Sequence, residues 1–510
     1  MANLLSCPLE EVWVFLSFSE SLSLRTTCSV SARWHGPQGV AVPQIDIAQL
    51  GRLCGTVRLQ LEFSKTLLID VDRVDFRAVQ AGLNFLQTVP ALPGITEVRV
   101  VGDGGTRYEC DWTSLFMKMP RMRRMVVQGK VWTMLPSPVW PQSLVDLSVN
   151  SCSLRGAPEV DKFGGARCLS RLDLTGTDCD DMVLQTICEK LPLLRVLVLD
   201  RTAVTFRRFC AQLPRDLRVL SLRCLDPVDP ALCASLKVGG VRKLLLRGTG
   251  STSAMVDALN TSGALQTLCF LDLSQTMIGD VGVAMTMAAE TASAMRTLYL
   301  GGIGASAKAL PKACAPLEGL FLDKNPRIFL QPNPLSDRGL DQLRVLSLSS
   351  CKLRDPGVER MARWLGALPL EKLLLHNNRL TDHGAMTIGW HLGSCPLRVL
   401  GLSNNRVGDE GFTKLMETFV CPAQAVSFLD ISSNVLTDCA LQCLASMVAA
   451  GGRLRVVKLD ANDLGSDAGA AASAAEFLAR SPSVKLQLAG CPLGEKAVQC
   501  LASVSNAIFS

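Results

Sequence analysis

The sequence is poor in the residues from which enzyme sites are usually built. It has only four histidines and two tyrosines in 510 residues, and aromatic residues make up 5% of the chain. The glycine-rich run at 102–105 lacks the Lys-Ser/Thr pair that completes a phosphate-binding loop, and no Gly-x-Ser-x-Gly motif is present. We therefore expect a chain that is not an enzyme, with no catalytic residues and no cofactor.

Long apolar runs and a large excess of one charge are also lacking. No uninterrupted apolar stretch approaches the ~20 residues that a membrane-spanning helix needs. The net charge of +6 is too small for this length to favour nucleic acid or an anionic membrane as a partner. Glycine (40) and proline (25) are near average usage, which excludes a collagen-like or largely disordered chain.

Cysteine, in contrast, is abundant, with 20 residues. The N-terminus has no basic segment, and Glu10 and Glu11 interrupt its apolar stretch, so no secretory signal peptide is expected. Several of the scattered cysteines recur at one position of a repeat described below. We therefore expect reduced thiols in a cytoplasmic protein rather than a secreted disulfide framework. An axonemal location in a cilium or flagellum, or a nuclear one, stays open.

One aliphatic pattern recurs along the C-terminal half of the sequence. Residues 343–353 read Leu-x-x-Leu-x-Leu-x-x-Cys-x-Leu, and this spacing returns five times with a polar residue or cysteine at the ninth position, which advances by 27 to 29 residues. We call this ninth position the polar position. It falls at Cys351, Asn378, Asn405, Asn434, Asn462 and Cys491.

Weaker copies of the pattern extend toward the N-terminus, which gives about 17 repeats in all. Their polar positions fall at Asn325, Ile303, Thr276, Thr249, Leu225, Thr202, Thr177 and Cys152, and less clearly at Lys130, Asp103 and Ser64. The pattern resembles the leucine-rich repeat, and the later copies resemble the ribonuclease-inhibitor type of that repeat.

The repeat has a physical reason. Leu-x-Leu is a short strand whose leucines point inward, and a single repeat cannot bury them, so neighbouring repeats must stack. The chain turns after the strand, and a side chain at the polar position can bond the buried amides of that turn. Periodic apolar residues and acidic starts predict helices at 355–365, 382–392 and 409–419. The predicted fold is an α/β leucine-rich repeat solenoid, a horseshoe with a parallel sheet on its concave face.

The first residues do not fit the repeat and resemble an F-box. That family begins with a Pro-x-Glu step, continues into an apolar helix and ends in Val-x-x-Arg-Trp. This sequence has Pro8, Glu10, Val12, Phe15, Leu16, Phe18, Leu24, Val30, Arg33 and Trp34 in those places without gaps. Cys7, Glu11 and Ser19 depart from the family's pattern. An alternative stays open, in which short helices here only close the end of the solenoid.

An F-box followed by leucine-rich repeats resembles the substrate receptors of SCF ubiquitin ligases. In that family the box binds a Skp-type adaptor, the adaptor binds a cullin module, and the repeats hold a protein substrate. The resemblance implies that the helical core and the adaptor contact share seven residues, namely Pro8, Leu9, Val12, Leu16, Leu24, Val30 and Trp34.

The outward positions of successive strands predict a partner-binding patch on the concave face. Phe270, Tyr299 and Phe321 occupy such positions on three successive strands. Aromatic residues ringed by charge are typical of interaction hot spots. The charged residues of the predicted patch are Arg223, Lys243, Arg247, Asp272 and Asp323. In an alternative interpretation, the aromatic rings stack on each other and bind nothing.

Two further patterns have weaker functional interpretations. An arginine follows the first apolar residue of seven repeats and forms a column that either binds an acidic partner or covers leucines at a solvated edge. The column comprises Arg195, Arg218, Arg242, Arg296, Arg344, Arg398 and Arg455. His376, His383 and His391 fall within one repeat, but no acidic or thiol residue has metal-ligand spacing to them, so no metal site is expected.

The sequence predicts three regions: an F-box-like segment at 1–40, divergent repeats at 41–140 and a solenoid at 141–510. Three non-catalytic functions stay open. The first is the SCF substrate receptor, and the second is an architectural subunit of a large assembly, such as the nexin–dynein regulatory complex of the axoneme. The third is a stoichiometric inhibitor or regulator of an enzyme. In each case the partner is a protein.

Overall fold

A computed structural model describes most of the chain from residue 44 onward. The described ranges are 44–46, 66–70, 80–102, 111–129, 140–225, 228–311, 314–328, 339–419, 426–448, 454–464, 467–480, 483–504 and 507–508, without residues 81, 82, 85, 89, 90, 156, 208–212, 231, 234, 235, 237–239, 394 and 503. The seven predicted adaptor-binding residues, from Pro8 to Trp34, lie outside the described residues.

The chain divides into two compact units, Met1–Val241 (unit 1) and Arg242–Ser510 (unit 2). The predicted division at residues 40 and 140 stays a prediction. Each unit is a parallel sheet in which every strand pairs with the next strand along the chain, as expected for stacked repeats.

Unit 1 contains short strands with a few short helices between them. Its strands are Gln44–Asp46 (β1), Thr66–Asp70 (β2), Glu97–Val101 (β3), Arg124–Gln128 (β4), Asp146–Asn150 (β5), Arg171–Asp173 (β6), Val196–Val198 (β7) and Val219–Ser221 (β8). Its helices include Trp112–Met117 (α1), Ala157–Asp161 (α2) and Asp181–Lys190 (α3), with a 3₁₀ turn at Lys162–Gly165.

Unit 2 has three-residue strands and longer helices. Its strands are Lys243–Leu245 (β9), Phe270–Asp272 (β10), Thr297–Tyr299 (β11), Gly319–Phe321 (β12), Val345–Ser347 (β13), Lys372–Leu374 (β14), Val399–Gly401 (β15), Phe428–Asp430 (β16), Val456–Lys458 (β17), Lys485–Gln487 (β18) and the two-residue Ala507–Ile508 (β19). Its helices include Ser253–Thr261 (α4), Gly279–Met287 (α5), Arg354–Gly366 (α6), Asp382–Leu392 (α7), Asp409–Phe419 (α8), Asp438–Val448 (α9), Ala468–Arg480 (α10) and Glu495–Ala502 (α11), with a 3₁₀ turn at Ala307–Ala309.

The register of the strands confirms the predicted stacking. Leu346 aligns with Leu373, Leu373 with Leu400, and Leu400 with Leu429 across four consecutive parallel strands. All four side chains are buried. The inward leucines of one repeat therefore complete the core of the next, as a solenoid requires. The predicted helices at 355–365, 382–392 and 409–419 are confirmed as α6, α7 and α8.

The polar position supplies hydrogen bonds to the buried turn, as the sequence predicts. In unit 2 the Asn405 amide nitrogen donates to the Leu375 carbonyl of the preceding repeat at 3.1 Å, and its oxygen accepts from the Asn378 and Leu380 backbone N–H groups. Threonine does less, since Thr202 in unit 1 donates one bond of 2.8 Å to the Leu199 carbonyl of its own repeat.

Cysteine at the polar position acts as a donor. The Cys351 Sγ atom lies 3.3 Å from the Leu322 carbonyl oxygen of the preceding repeat. Burial raises the pKa of the Cys351 thiol to about 12, so the thiol keeps its proton at neutral pH. The recurrence of cysteine in the repeat is explained by this donor role.

In each repeat from β3 to β18, the residue directly before the polar position has a positive φ angle. Some of these residues are glycines, such as Gly176 and Gly490, and others are not, such as Asn377 and Ala461. The turned backbone points its N–H at the next repeat, so that the Asn377 N–H donates to the Ser403 carbonyl at 2.9 Å. The side chain at this position is unrestricted apart from the positive φ.

An aspartate at the helix start links each of several repeats to the next one. The Asp382 carboxylate accepts the Gly408 N–H at 2.6 Å, and Asp355 and Asp409 accept from threonines in the same way. Gly411 leaves room for this contact, because a Cβ atom there would lie 2.6 Å from the Asp382 Cα atom. In the Asp-x-Gly sequences of these repeats, the aspartate bonds to the next repeat and the glycine allows neighbouring helices to approach closely.

Three described strands differ from the predicted set. β2 begins at Thr66, two residues after the predicted polar position Ser64, and Ser64 itself lies outside the described residues. β1 and β19 were not predicted, because neither lies in a copy of the leucine pattern. The sixteen strands from β3 to β18 match the predicted repeats one for one.

Candidate functional site

The outward face of unit 2 carries a cluster of three aromatic rings. Tyr299 on β11 and Phe321 on β12 stack with ring centroids 3.9 Å apart and planes 5° from parallel. Phe270 on β10 lies 5.3 Å from Tyr299 with a tilt of 39°. All three are half-buried. We call Phe270, Tyr299 and Phe321 the aromatic cluster.

The backbone of β12 makes space for this cluster. Gly319 occupies the outward position before Phe321, and a Cβ atom at Gly319 would lie 3.3 Å from Thr297 and 3.5 Å from the Phe321 ring. The register places Tyr299 directly opposite Phe321. Neighbouring strands stand ~4.8 Å apart, so rings at paired positions are brought into stacking range by the sheet itself.

The predicted cations of unit 2 stand beside the cluster. Lys243 on β9 lies with its Nζ atom 5.8 Å from the centroid of the Phe270 ring, within the range of a cation–π contact. Arg247 follows β9 and is exposed, with a long contact of 3.5 Å from its Nε atom to Gln275. Arg223 belongs to unit 1, where its N–H donates to Asp200 at 2.8 Å. The structure therefore places Lys243 on β9 and Arg247 two residues after its end.

The predicted acids have structural partners. Asp272 is only 5% exposed and accepts the Ser274 N–H at 3.0 Å. Asp323 accepts from both the hydroxyl of Ser347 and the N–H of Ser349, at 2.5 and 2.7 Å. These carboxylates therefore hold strand ends in place, and their hydrogen-bonding capacity toward a partner is reduced accordingly.

Sequence reasoning missed a second group of outward apolar residues on the later strands. These residues are half-buried and occupy the same outward positions as the aromatic cluster, namely Val345, Leu374, Val399, Phe428 and Val456. Beside this group, the Nζ atom of Lys458 lies 5.7 Å from the centroid of the Phe428 ring. Applying the outward-position rule to every strand would have found them. Phe428 lies four strands from Phe321, or about 19 Å along the sheet.

His376 forms hydrogen bonds with the next repeat. Its Nδ1 atom accepts the Ser403 N–H at 3.1 Å and lies 2.6 Å from the Ser403 hydroxyl. The ring covers Gly401, where a Cβ atom would lie 2.3 Å from Nε2. Burial lowers the pKa of His376, while Asp430 and Asp323 act in the opposite direction. No group of three potential metal ligands occurs among the described residues.

The outward positions of β3 to β6 in unit 1 carry several charged residues. The Glu97 carboxylate contacts Arg99 at 2.7 Å and Arg124 at 4.0 Å, and Asp146 contacts Arg124 and Arg171 at 3.5 and 3.6 Å. Burial raises the pKa of Asp146, against the effect of the two arginines. This alternating series runs across β3 to β6, and we call it the charge chain.

The arginine column is partly ion-paired. Arg344 contacts Glu371 at 2.6 Å, Arg398 contacts the same carboxylate at 4.0 Å, and Arg296 contacts Glu318 at 3.7 Å. These arginines are substantially exposed, so such pairs contribute little to stability. Their acidic neighbours reduce the positive charge of the column on these strands.

Comparisons with known proteins identify the repeat. A family model described as Leucine Rich repeat matches residues 343–362 and 393–416. Among solved structures, an internalin from Listeria monocytogenes is similar, at 17% identity and a TM-score of 0.38, over 71% of this chain and 86% of that one. No curated protein matches the sequence. With the strand register, the family match defines the fold as a leucine-rich repeat solenoid. Within the described part of the chain, no helix is both long and apolar enough to cross a membrane.

Proposed function

We propose that this protein is a non-catalytic scaffold that binds another protein on the strand face of unit 2. The observation that carries the proposal is the aromatic cluster. Its three rings are half-buried on an outward face and do not contribute to the inward leucine core. The part of each ring that contacts water is apolar, and its exposure is unfavourable. Rigid aromatic residues in such positions are the typical anchors of protein–protein interfaces.

The finer proposal is that the scaffold is the substrate receptor of an SCF-type ubiquitin ligase. Its support is the ungapped F-box-like pattern from Pro8 to Trp34 directly before the repeats. In this role the box binds a Skp-type adaptor and a cullin module, and the repeats hold the substrate. The protein then acts by proximity, because it raises the effective concentration of substrate lysines near the conjugating enzyme.

The scaffold proposal is tested by site-specific cross-linking of the full chain. A photoreactive phenylalanine analogue at Phe321 is expected to give a discrete adduct with a protein in cell extract. Tyr299→Ala should reduce that adduct strongly, since removal of an interface anchor costs about 2 kcal/mol or more. The control is the same analogue at Phe428. Equal adducts from both positions, or none from Phe321, would refute the proposed site.

The finer proposal is tested by co-purification with the double variant Pro8→Ala, Leu16→Ala. An SCF receptor should lose the Skp-type adaptor while keeping the Phe321 adduct. An architectural subunit would show no adaptor in either form and would stay in a salt-resistant assembly. An enzyme inhibitor would yield a stoichiometric complex with one folded protein and would also lack the adaptor. Each of the last two results contradicts the receptor role.

A further inference from the structure

We propose that the partner of the aromatic cluster is an acidic protein segment with an aromatic or aliphatic side chain as its anchor. This inference rests on the proposed binding role of the same face. It adds the charge of the partner, which neither the repeat nor the cluster specifies.

The first argument is the set of cations at the edge of the cluster. Arg242, Lys243 and Arg247 lie on or beside β9 and are all exposed. Arg242 has a long contact of 3.5 Å to the Thr267 carbonyl, Arg247 has one to an amide oxygen, and Lys243 lies over a ring. Among the described residues none of the three has a carboxylate within ion-pair distance. Their charge is therefore directed to solvent.

The second argument is that the neighbouring acids are already engaged. Asp272 is buried and bonded to a backbone N–H. Asp323 accepts two hydrogen bonds from the next repeat, and Glu318 lies 3.7 Å from Arg296. Lys324, which follows Asp323, is exposed and adds a further cation. Among the described residues around the cluster, the exposed charges without an ion-pair partner are therefore those of these cations, whereas Asp272 is buried and Asp323 is half-buried.

The third argument is the contrast with Phe428, the other aromatic residue that carries a lysine on this face. Phe428 also has a lysine above it, but Asp430 lies on its own strand and Asp460 follows the next strand. Asp430 and Asp460 accept backbone N–H groups as Asp272 and Asp323 do. The contrast therefore rests on exposure: two half-buried carboxylates lie near Phe428, whereas of the two near the aromatic cluster only Asp323 is half-buried. Positive charge beside an aromatic surface is complementary to an acidic segment with one apolar side chain, because ion pairing and ring contact are then made together.

The experiment is a selection from a random dodecapeptide library on the immobilised full chain. We expect enriched peptides to contain several aspartates or glutamates around one aromatic or aliphatic residue. A synthetic peptide of the enriched sequence is then titrated by fluorescence anisotropy. The double variant Lys243→Glu, Arg247→Glu should weaken its binding on the order of tenfold, and added salt should weaken binding to the wild-type chain.

The matched control is Lys458→Glu, which reverses the other lysine that lies over a ring and should change the dissociation constant less than about twofold. The charge-reversed double variant could misfold, so the neutral double variant Lys243→Gln, Arg247→Gln is measured as well. Its dissociation constant should fall between those of the wild-type chain and the charge-reversed variant. Enriched peptides without an acidic bias, or equal loss in the control, overturn the inference. If the peptide experiment gives one of these results but the Phe321 adduct forms, the scaffold proposal stands and only this inference fails. Absence of the adduct removes both.

Discussion

The strand faces of unit 1 and unit 2 differ in chemistry although both units stack the same repeat. In unit 1 the outward positions of β3 to β6 carry the charge chain, in which Asp146 contacts two arginines. In unit 2 the equivalent positions of β10 to β12 carry the aromatic cluster. Since the inward leucines and the turn hydrogen bonds hold neighbouring repeats together, the outward residues of each unit are under separate constraints.

The units also differ in how their turns are bonded. The polar position that follows each of β5, β6 and β7 is cysteine or threonine, whereas most later repeats of unit 2 have asparagine there. Asparagine both donates and accepts, so it reaches the preceding repeat as well as its own. The comparison indicates that stacking in the later repeats depends more on side-chain hydrogen bonds.

The largest expected effect tests this difference in the turns. Asn405→Ala should lower the free energy of unfolding by about 3 kcal/mol, since it leaves two backbone N–H groups and one carbonyl of the preceding repeat unpaired. Thr202→Ala removes one bond and should cost about 1 kcal/mol. Urea denaturation followed by circular dichroism measures both. Equal losses would show that the two turns are equivalent.

The next prediction concerns the helices of unit 2. Gly411→Ala should cost about 2 kcal/mol, because the new methyl group would meet the Asp382 backbone at 2.6 Å. Gly469→Ala is the control, at an exposed helical position whose nearest atom is a side-chain oxygen of Asp467 at 3.2 Å. It should be neutral or slightly stabilising. A loss at both positions would indicate a general effect of alanine rather than the helix contact.

A smaller effect should be the same in both units. Gly176 in unit 1 and Gly490 in unit 2 both have φ of +69° directly before the polar position. Replacement by alanine should cost about 1 kcal/mol at each site. Ala461→Gly, at the same place in the adjacent repeat, should be neutral or stabilising. Thermal melts of the three variants measure this, and a cost confined to one unit would contradict a shared turn.

The smallest expected effect is a dependence of unit 2 on pH. The pKa of His376 is lower in the folded chain than its ordinary value of 6.5. The unfolded chain then binds the proton more readily, so this contribution to stability is complete above pH 6.5 and decreases as the pH falls below that value. His376→Asn, which has an amide oxygen as acceptor, should show a shallower decrease in melting temperature between pH 7 and 5.5. Identical slopes would contradict the assignment.

The later repeats could be predicted from the sequence almost completely. Between Leu343 and Leu464 every inward position is aliphatic and every polar position is asparagine or cysteine, so register and helix bounds follow from counting. Near the N-terminus the signal is ambiguous, because Leu59 and Leu61 have the same spacing as Leu67 and Ile69. β2 contains Leu67 and Ile69, and counting alone does not place a strand there.

The sequence predicts which residues of the candidate site lie on the outward face, but it does not predict which contacts they make. The aromatic cluster follows from the alternation of strand side chains, yet its stacking depends on ring rotamers that no pattern encodes. The roles of Asp323 and His376 were missed because each accepts from a residue 26 or 27 positions later. Such contacts become visible only when the repeats are stacked.

The hydrogen bonds between repeats also set where this chain can be cut. Asn405 serves the repeat before it, whereas Asp382 and Asp323 serve the repeat after each of them. A fragment that begins or ends inside unit 2 therefore leaves buried amides without acceptors at either new end, whichever repeat is chosen. Shortened versions of this solenoid need a designed terminal repeat, in which polar surface replaces the missing neighbour.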